Sequence, residues 1–356
     1  MTKKRVLLII AIAIPIILLI GWWIFSVYIY DSNINVRCQS YEPKMFRVSD
    51  FEGLECTEYS FPSNKGQKLA GYLYSAGEDQ RGIVVLAHGY GGGQNSYMDC
   101  ANYFAQNGYY VFAYDATGCD DSEGKGVGAA PQGVVDLDYA ISFVESNKNI
   151  PDLPIVLFGH SWGAYSACNV LTYHPEVKAV VECAGFNRSS DMFESFAKYN
   201  NGDVVDALMP FVKFHELVHY GEYATNSALD AFEASKAHVM VVHSADDDVI
   251  TPNYGYDIFY ENYKDDSRFE FVKFEHRGHN GLYYDPENHY EEEFNTELNE
   301  WADNLPYNHY AGKYQIKFEK DKTEYINSKL DRAKWADRLD KELMDKFVDF
   351  YDAAIQ

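Results

Sequence analysis

A chain of 356 residues buries one sizeable core and has length left for an insertion or a terminal extension. Nearly half of its residues are apolar and 16% are aromatic, which excludes fibrous and wholly disordered readings. Thirty Lys and Arg against 54 Asp and Glu leave a formal net charge of -24, and a polyanion such as a nucleic acid would meet net repulsion.

The first thirty residues stand apart. Lys3, Lys4 and Arg5 precede the run VLLIIAIAIPIILLIGWWIFSVYIY, and no acidic residue occurs before Asp31. At 1.5 Å per residue, about twenty apolar residues match the roughly 30 Å hydrocarbon layer of a bilayer. Trp22, Trp23, Tyr28 and Tyr30 lie toward the far end, where amphipathic rings favour the headgroup layer. Residues 1–30 are therefore expected to form an uncleaved transmembrane signal-anchor in a single-pass protein of the cell membrane. Its basic end should stay cytoplasmic and the bulk of the chain extracytoplasmic. A cleaved signal peptide shares the basic start and apolar centre, but no clear A-x-A site follows; a buried helix of a soluble protein is the third reading.

Beyond the anchor, 27 basic side chains face 54 acidic ones, and the segment 311–356 carries ten of each, so the imbalance belongs to residues 31–310. The six cysteines form no C-x-x-C pair, which speaks against thiolate metal sites. Cys168 and Cys183 fall in apolar stretches where a free thiol packs as a small hydrophobe, and Cys38 could bridge Cys56 in an oxidising compartment. Residues 31–64 read as a connecting segment.

From Gln67 onward strand-like and helix-like segments alternate. KLAGYLYSA, GIVVLAH, YYVFAYD, PIVLFGH, VKAVVECA, HVMVVHSA and FEFVKFEH read as strands, several apolar on successive residues, as in a sheet covered on both faces. Helical patterns fall at about 96–107, 132–147, 162–173 and 253–264, with a long acidic one from Pro286 to Asn304. This rhythm specifies an α/β domain over 65–304 with a mostly parallel central sheet flanked by helices. Residues 185–236 interrupt it with helical patterns and read as a small helical lid. Over 305–356, a C-terminal helical extension, Trp335, Leu339, Leu343, Phe347 and Tyr351 recur every four positions and predict an amphipathic helix docked on the body or on a partner.

The chemistry concentrates at GHSWG, Gly159 to Gly163, directly after the strand PIVLF. A serine there occupies a tight strand-to-helix turn that lifts Ser161 Oγ above the sheet and sets the first N–H groups of the following helix near any charge developing on a bound carbonyl. A serine hydroxyl needs a base and a carboxylate to orient that base. HSADDDVI after one strand and HRGHNG after the next supply both, in the order Ser, Asp, His. HGYGGG, His88 to Gly93, follows GIVVLA and offers backbone donors; a flexible turn is the plainer reading. No phosphate loop, dinucleotide fingerprint or H-E-x-x-H motif occurs, so neither a cofactor nor a metal is expected.

With these segments in place the sequence resembles the α/β-hydrolase superfamily over roughly residues 65–304, at its carboxylesterase, monoacylglycerol-lipase and serine-peptidase end. The resemblance implies Ser161 as nucleophile, Asp247, rather than Asp246 or Asp248, as the orienting acid, and His279 after Gly278 as the base, leaving His276, His160 and His243 structural. It also implies an oxyanion hole from the backbone N–H groups of Tyr90 and Trp162. YDATGCDDSEG is similar to a further family segment, in which Asp115 and Ser122 would brace loops. The implied activity is hydrolysis of carboxylic esters through an acyl-enzyme on a small-molecule ester or lipid. A serine peptidase or amidase acting on short peptides, and a noncatalytic envelope binding protein, are the alternatives; oligomeric state is left open.

Overall fold

The computed structural model describes residues 3–356. Helix α1 (Lys3–Ile34) leads into a strap of short turns and then an eight-stranded sheet. The strands are β1 (Glu55–Pro62), β2 (Lys68–Ser75), β3 (Gly82–Ala87), β4 (Tyr109–Tyr114), β5 (Ile155–His160), β6 (Ala179–Cys183), β7 (His238–Ser244) and β8 (Phe269–Phe274). Their spatial order is β1-β2-β4-β3-β5-β6-β7-β8, with β2 antiparallel to both neighbours and the rest parallel. β3, β5 and β6 are buried at every position, which is why they read as unbroken apolar runs. β1 lies outside the expected α/β region. It is a mostly exposed edge strand, and its polar sequence ECTEYSFP carries little of the apolar signal that marks a central strand.

Between the strands run α2 (Met98–Gln106), α3 (Pro131–Ser146), α4 (Trp162–Asn169), then α5 (Ser189–Asn201), α6 (Met209–Tyr220), α7 (Glu222–Thr225) and α8 (Ala228–Ala234), and α9 (Tyr256–Tyr263). The chain ends with α10 (Tyr290–Asp303), α11 (Gln315–Lys329), α12 (Arg332–Ala336) and α13 (Lys341–Ile355). One apolar core joins α3, α4, α8 and α9 to the sheet face bearing Ile83, Val85 and Leu157. The other joins α2, α10 and α13 to the face bearing Val84, Leu86 and Phe158.

The C-terminal stripe is buried at all five positions but is not one helix. Trp335 ends up in α12, Leu339 pairs with Tyr284 in a β-bridge, and the Asp340 side chain accepts the Leu343 N–H to start α13 anew. Phe347 and Tyr351 then pack on the sheet, and the Tyr351 hydroxyl donates to the Leu157 carbonyl at 2.7 Å. The extension is thus one wall of the α/β body.

Helices α5 to α8 form the insertion between β6 and β7, and α1 docks on it. Trp22 Nε1 donates to the Ala207 carbonyl at 2.8 Å, Trp23 meets Phe214 edge to face, and the buried Tyr30 hydroxyl donates to Glu216. Most of α1 upstream of Phe25 is exposed apolar surface. By length and composition this is a helix able to cross a membrane or to serve as a signal sequence.

Candidate active site

Ser161 sits between β5 and α4 with φ 54° and ψ -119°, a left-handed conformation that non-glycine residues seldom adopt. The flanking glycines answer a space requirement. A Cβ at Gly159 would overlap the Gly163 and Ala164 backbone, and one at Gly163 would overlap the carbonyls of Ala87 and His88. The turn is held by the Ser161 N–H on the Cys183 carbonyl at 2.8 Å, a link from β5 to β6.

The acid loop follows β7. One oxygen of Asp247 accepts the N–H groups of Val249 and Ile250, both at 2.9 Å, and the other faces His279 Nδ1 at 2.7 Å. His279 Nε2 lies 2.9 Å from Ser161 Oγ. With Nδ1–H donating to the carboxylate, Nε2 is left to accept the serine proton. Burial would push the Asp247 carboxyl up, but its bond to His279, the neighbouring imidazoles of His279 and His243 and the Ile250 N–H outweigh this and hold it below the usual range. Asp247 is 3% exposed and Ser161 and His279 are each 8% exposed, so the three groups are nearly shut from bulk water.

The neighbouring candidates lie elsewhere. Asp246 is exposed and accepts the Ser244 hydroxyl at 2.6 Å and the Gly278 N–H at 2.9 Å, so it fixes the histidine loop. Gly278 takes φ 57°, a turn that suits glycine just before the imidazole. Asp248 and His276 point to solvent. His160 is buried between the Tyr97 hydroxyl at 2.8 Å and the His279 carbonyl at 2.9 Å. Burial, aided by the nearby His279, drives its pKa down to about 3 and keeps it neutral. His243 donates through Nε2 to the Ile250 carbonyl at 2.8 Å.

Tyr90 and Trp162 face each other across the elbow, rings 6.2 Å apart and edge to face. Among the described residues, neither backbone N–H has a hydrogen-bond partner. The Trp162 indole turns inward and donates to the Ala130 carbonyl at 2.7 Å, so its bulk packs under α3. His88 braces the glycine loop, with Nδ1 on the Gly89 carbonyl at 2.7 Å and Nε2 accepting the Ala116 N–H at 2.9 Å. Asp115 accepts the Gln94 N–H at 2.8 Å, and Ser122 donates to the Asp115 carbonyl at 2.5 Å.

Beside Gly89–Gly92 and Asn280 opens a cavity of about 580 Å³ that borders the glycine loop. Its outer wall comes from the strap (Tyr41, Lys44, Phe46) and from Trp335 and Arg338 of the extension. None of these positions carries a recognisable motif, because only the folded chain brings the strap and the C-terminus together. Glu182 is another residue the motifs do not reveal. It is fully buried at the end of β6, one oxygen accepts the Gly185 N–H at 2.7 Å, and burial pushes its pKa up to about 8.

A predominantly parallel sheet with a serine on a strained turn after β5, an acid after β7 and a histidine after β8 is the arrangement of the α/β-hydrolase fold, which the chain adopts. Residues 78–214 match the family model described as serine aminopeptidase, S33. A monoacylglycerol lipase of Mycolicibacterium smegmatis is 32% identical over 107 residues, a stretch covering 30% of this chain and 38% of that protein. The chain thus aligns with well under half of that relative's length. An esterase of Pyrococcus furiosus shares the fold, with a TM-score of 0.55 and 16% identity over 76% of this chain and 97% of its own. A second crystal form of it gives 0.52 and 17% over 76% and 98%. The matches lie in the esterase, lipase and peptidase-like part of the superfamily.

Proposed function

We propose that the chain is a serine hydrolase that cleaves carboxylic esters through an acyl-enzyme on Ser161. The observation that carries this reading is the continuous relay from Asp247 to His279 at 2.7 Å and from His279 to Ser161 at 2.9 Å. His279 Nε2 takes the Ser161 proton as Oγ bonds to the carbonyl carbon, and Asp247 stabilises the resulting imidazolium. The unpartnered N–H groups of Tyr90 and Trp162 receive the oxyanion. The leaving alcohol takes the proton from Nε2, and water, activated by the same nitrogen, releases the acid and restores the hydroxyl.

Ser161→Ala should abolish covalent labelling by a fluorophosphonate while leaving the thermal transition in place; equal labelling of the variant would defeat the assignment. Peptide or amide hydrolysis is the second reading, favoured by the aminopeptidase description of the matching family model. Parallel assays of short acyl esters and aminoacyl amides separate the two, and absence of turnover and of labelling would instead favour a noncatalytic envelope protein. The exposed apolar run of α1 supports a membrane-anchored enzyme whose body lies outside the cytoplasm, and small-molecule esters or lipids would be its substrates.

A further inference from the structure

Cys38, four residues beyond α1, stands directly opposite Cys119, on the loop after β4, in a parallel β-bridge. Its N–H donates to the Gly118 carbonyl at 2.9 Å and its carbonyl accepts the Asp120 N–H at 3.1 Å, which places the two cysteines side by side with both side chains on one face. Backbones so paired lie about 4.8 Å apart, inside the roughly 4.4–6.8 Å Cα range of disulfides. Both thiols are free and buried in the same apolar cluster. Cys56 stands opposite Tyr74, and Cys183 between His160 and Val242, so neither has a cysteine opposite it.

From this pairing we infer that Cys38 and Cys119 form a disulfide that staples the exit of α1 to the loop beneath the glycine segment 89–93. The bridging partner of Cys38 is thus Cys119, in place of the Cys56 that chain order suggested. The oxidant is a small-molecule or protein disulfide met while the strap docks. The Cys38 thiolate attacks one of its sulfurs and expels the first thiolate. Cys119, deprotonated in turn, attacks the Cys38 sulfur and expels the second. Two protein thiols become one S–S bond, two electrons pass to the oxidant, and its two sulfurs leave as thiols. The neighbouring Cys119 thiol, against the opposing effect of burial, holds the Cys38 pKa below the usual thiol range, so Cys38 suits the attacking role.

The surroundings are built to hold the strap in register. Arg37 donates to the carbonyls of Asp120 at 2.5 Å, Ser122 at 3.1 Å and Gly124 at 2.8 Å. The Asp120 carboxylate accepts the Ser40 N–H and hydroxyl, both at 2.6 Å, and Ser40 Oγ accepts the Gly93 N–H at 3.3 Å. A covalent bond here ties the chain entering from α1 to the loop beneath the segment that carries Tyr90.

The test is synthesis of the full chain into nanodiscs in a glutathione buffer rich in the oxidised form, followed by alkylation, proteolysis and mass spectrometry. A peptide pair joined through Cys38 and Cys119, with four alkylated cysteines, is expected. Six alkylated cysteines, or a Cys38–Cys56 pair, would overturn the inference. Reductant should lower the melting temperature of the oxidised wild type by roughly 5 °C and leave the Cys38→Ser, Cys119→Ser double variant unmoved. Equal shifts in both would count against the bond.

Discussion

At the scale of single residues, the carboxylates divide by their surroundings. Asp247 is held ionised by its histidine partner, so Asp247→Asn should leave substrate binding nearly intact and lower kcat by about 10³–10⁴-fold, because the imidazole loses its orienting acceptor; steady-state kinetics on an ester substrate would check this. Glu182 is the opposite case. Its pKa is about 8 in the folded chain against 4.5 for an ordinary glutamate, so the native state holds the proton more tightly. The stabilisation from that proton is complete below 4.5 and is lost as the pH rises through about 8. Glu182→Gln should therefore gain on the wild type in melting temperature as pH goes from 5 to 9, and thermal scans across that range would show a constant gap if Glu182 were not responsible. Sequence alone carried Ser161 and the two later loops because each is a short local pattern with its own backbone demands, such as Gly278 before His279. The burial of Glu182 had no such signature, since it depends on what covers the end of β6.

Elements were legible where their apolar pattern was complete. The central strands and most helices between them follow from runs such as GIVVLA and IVLFGH. The edge strand β1 did not, because one of its faces has little to bury, and the five-residue stripe of period four near the C-terminus concealed a break that Asp340 as a helix cap accounts for. α13 closes one face of the sheet, with Met344, Phe347 and Tyr351 wholly buried. Phe347→Ala should cost about 3–5 kcal/mol in chemical denaturation, whereas a helix merely resting on the surface would lose far less.

For the whole molecule, the decisive relation is that between α1 and the insertion. Tyr30 and Ile34 are buried within the main apolar core, and Glu216 accepts hydrogen bonds from both Tyr30 and Ser189. Phe196, Val204, Phe214 and Leu217 are exposed apolar side chains of the insertion that receives α1. The full chain should resist alkaline carbonate extraction from membranes. A form starting at Asn35 should be released, yet melt at lower temperature because the insertion loses the side chains that fill it. Retention of the shortened form on membranes would place the main attachment elsewhere. The sequence announced the apolar run; it did not announce that the helix outlasts that run and ends inside the protein.

That continuity has a mechanical consequence. A helix of 32 residues carried without interruption from an apolar stretch into a buried socket behaves as a mast, where a loose tether would allow the load to drift. Set upright in a lipid sheet, such a mast transmits its own rotation to everything mounted on it. Every copy so placed would turn the same flank toward the headgroups, at a standoff fixed by helical rise and not by the slack of a cord.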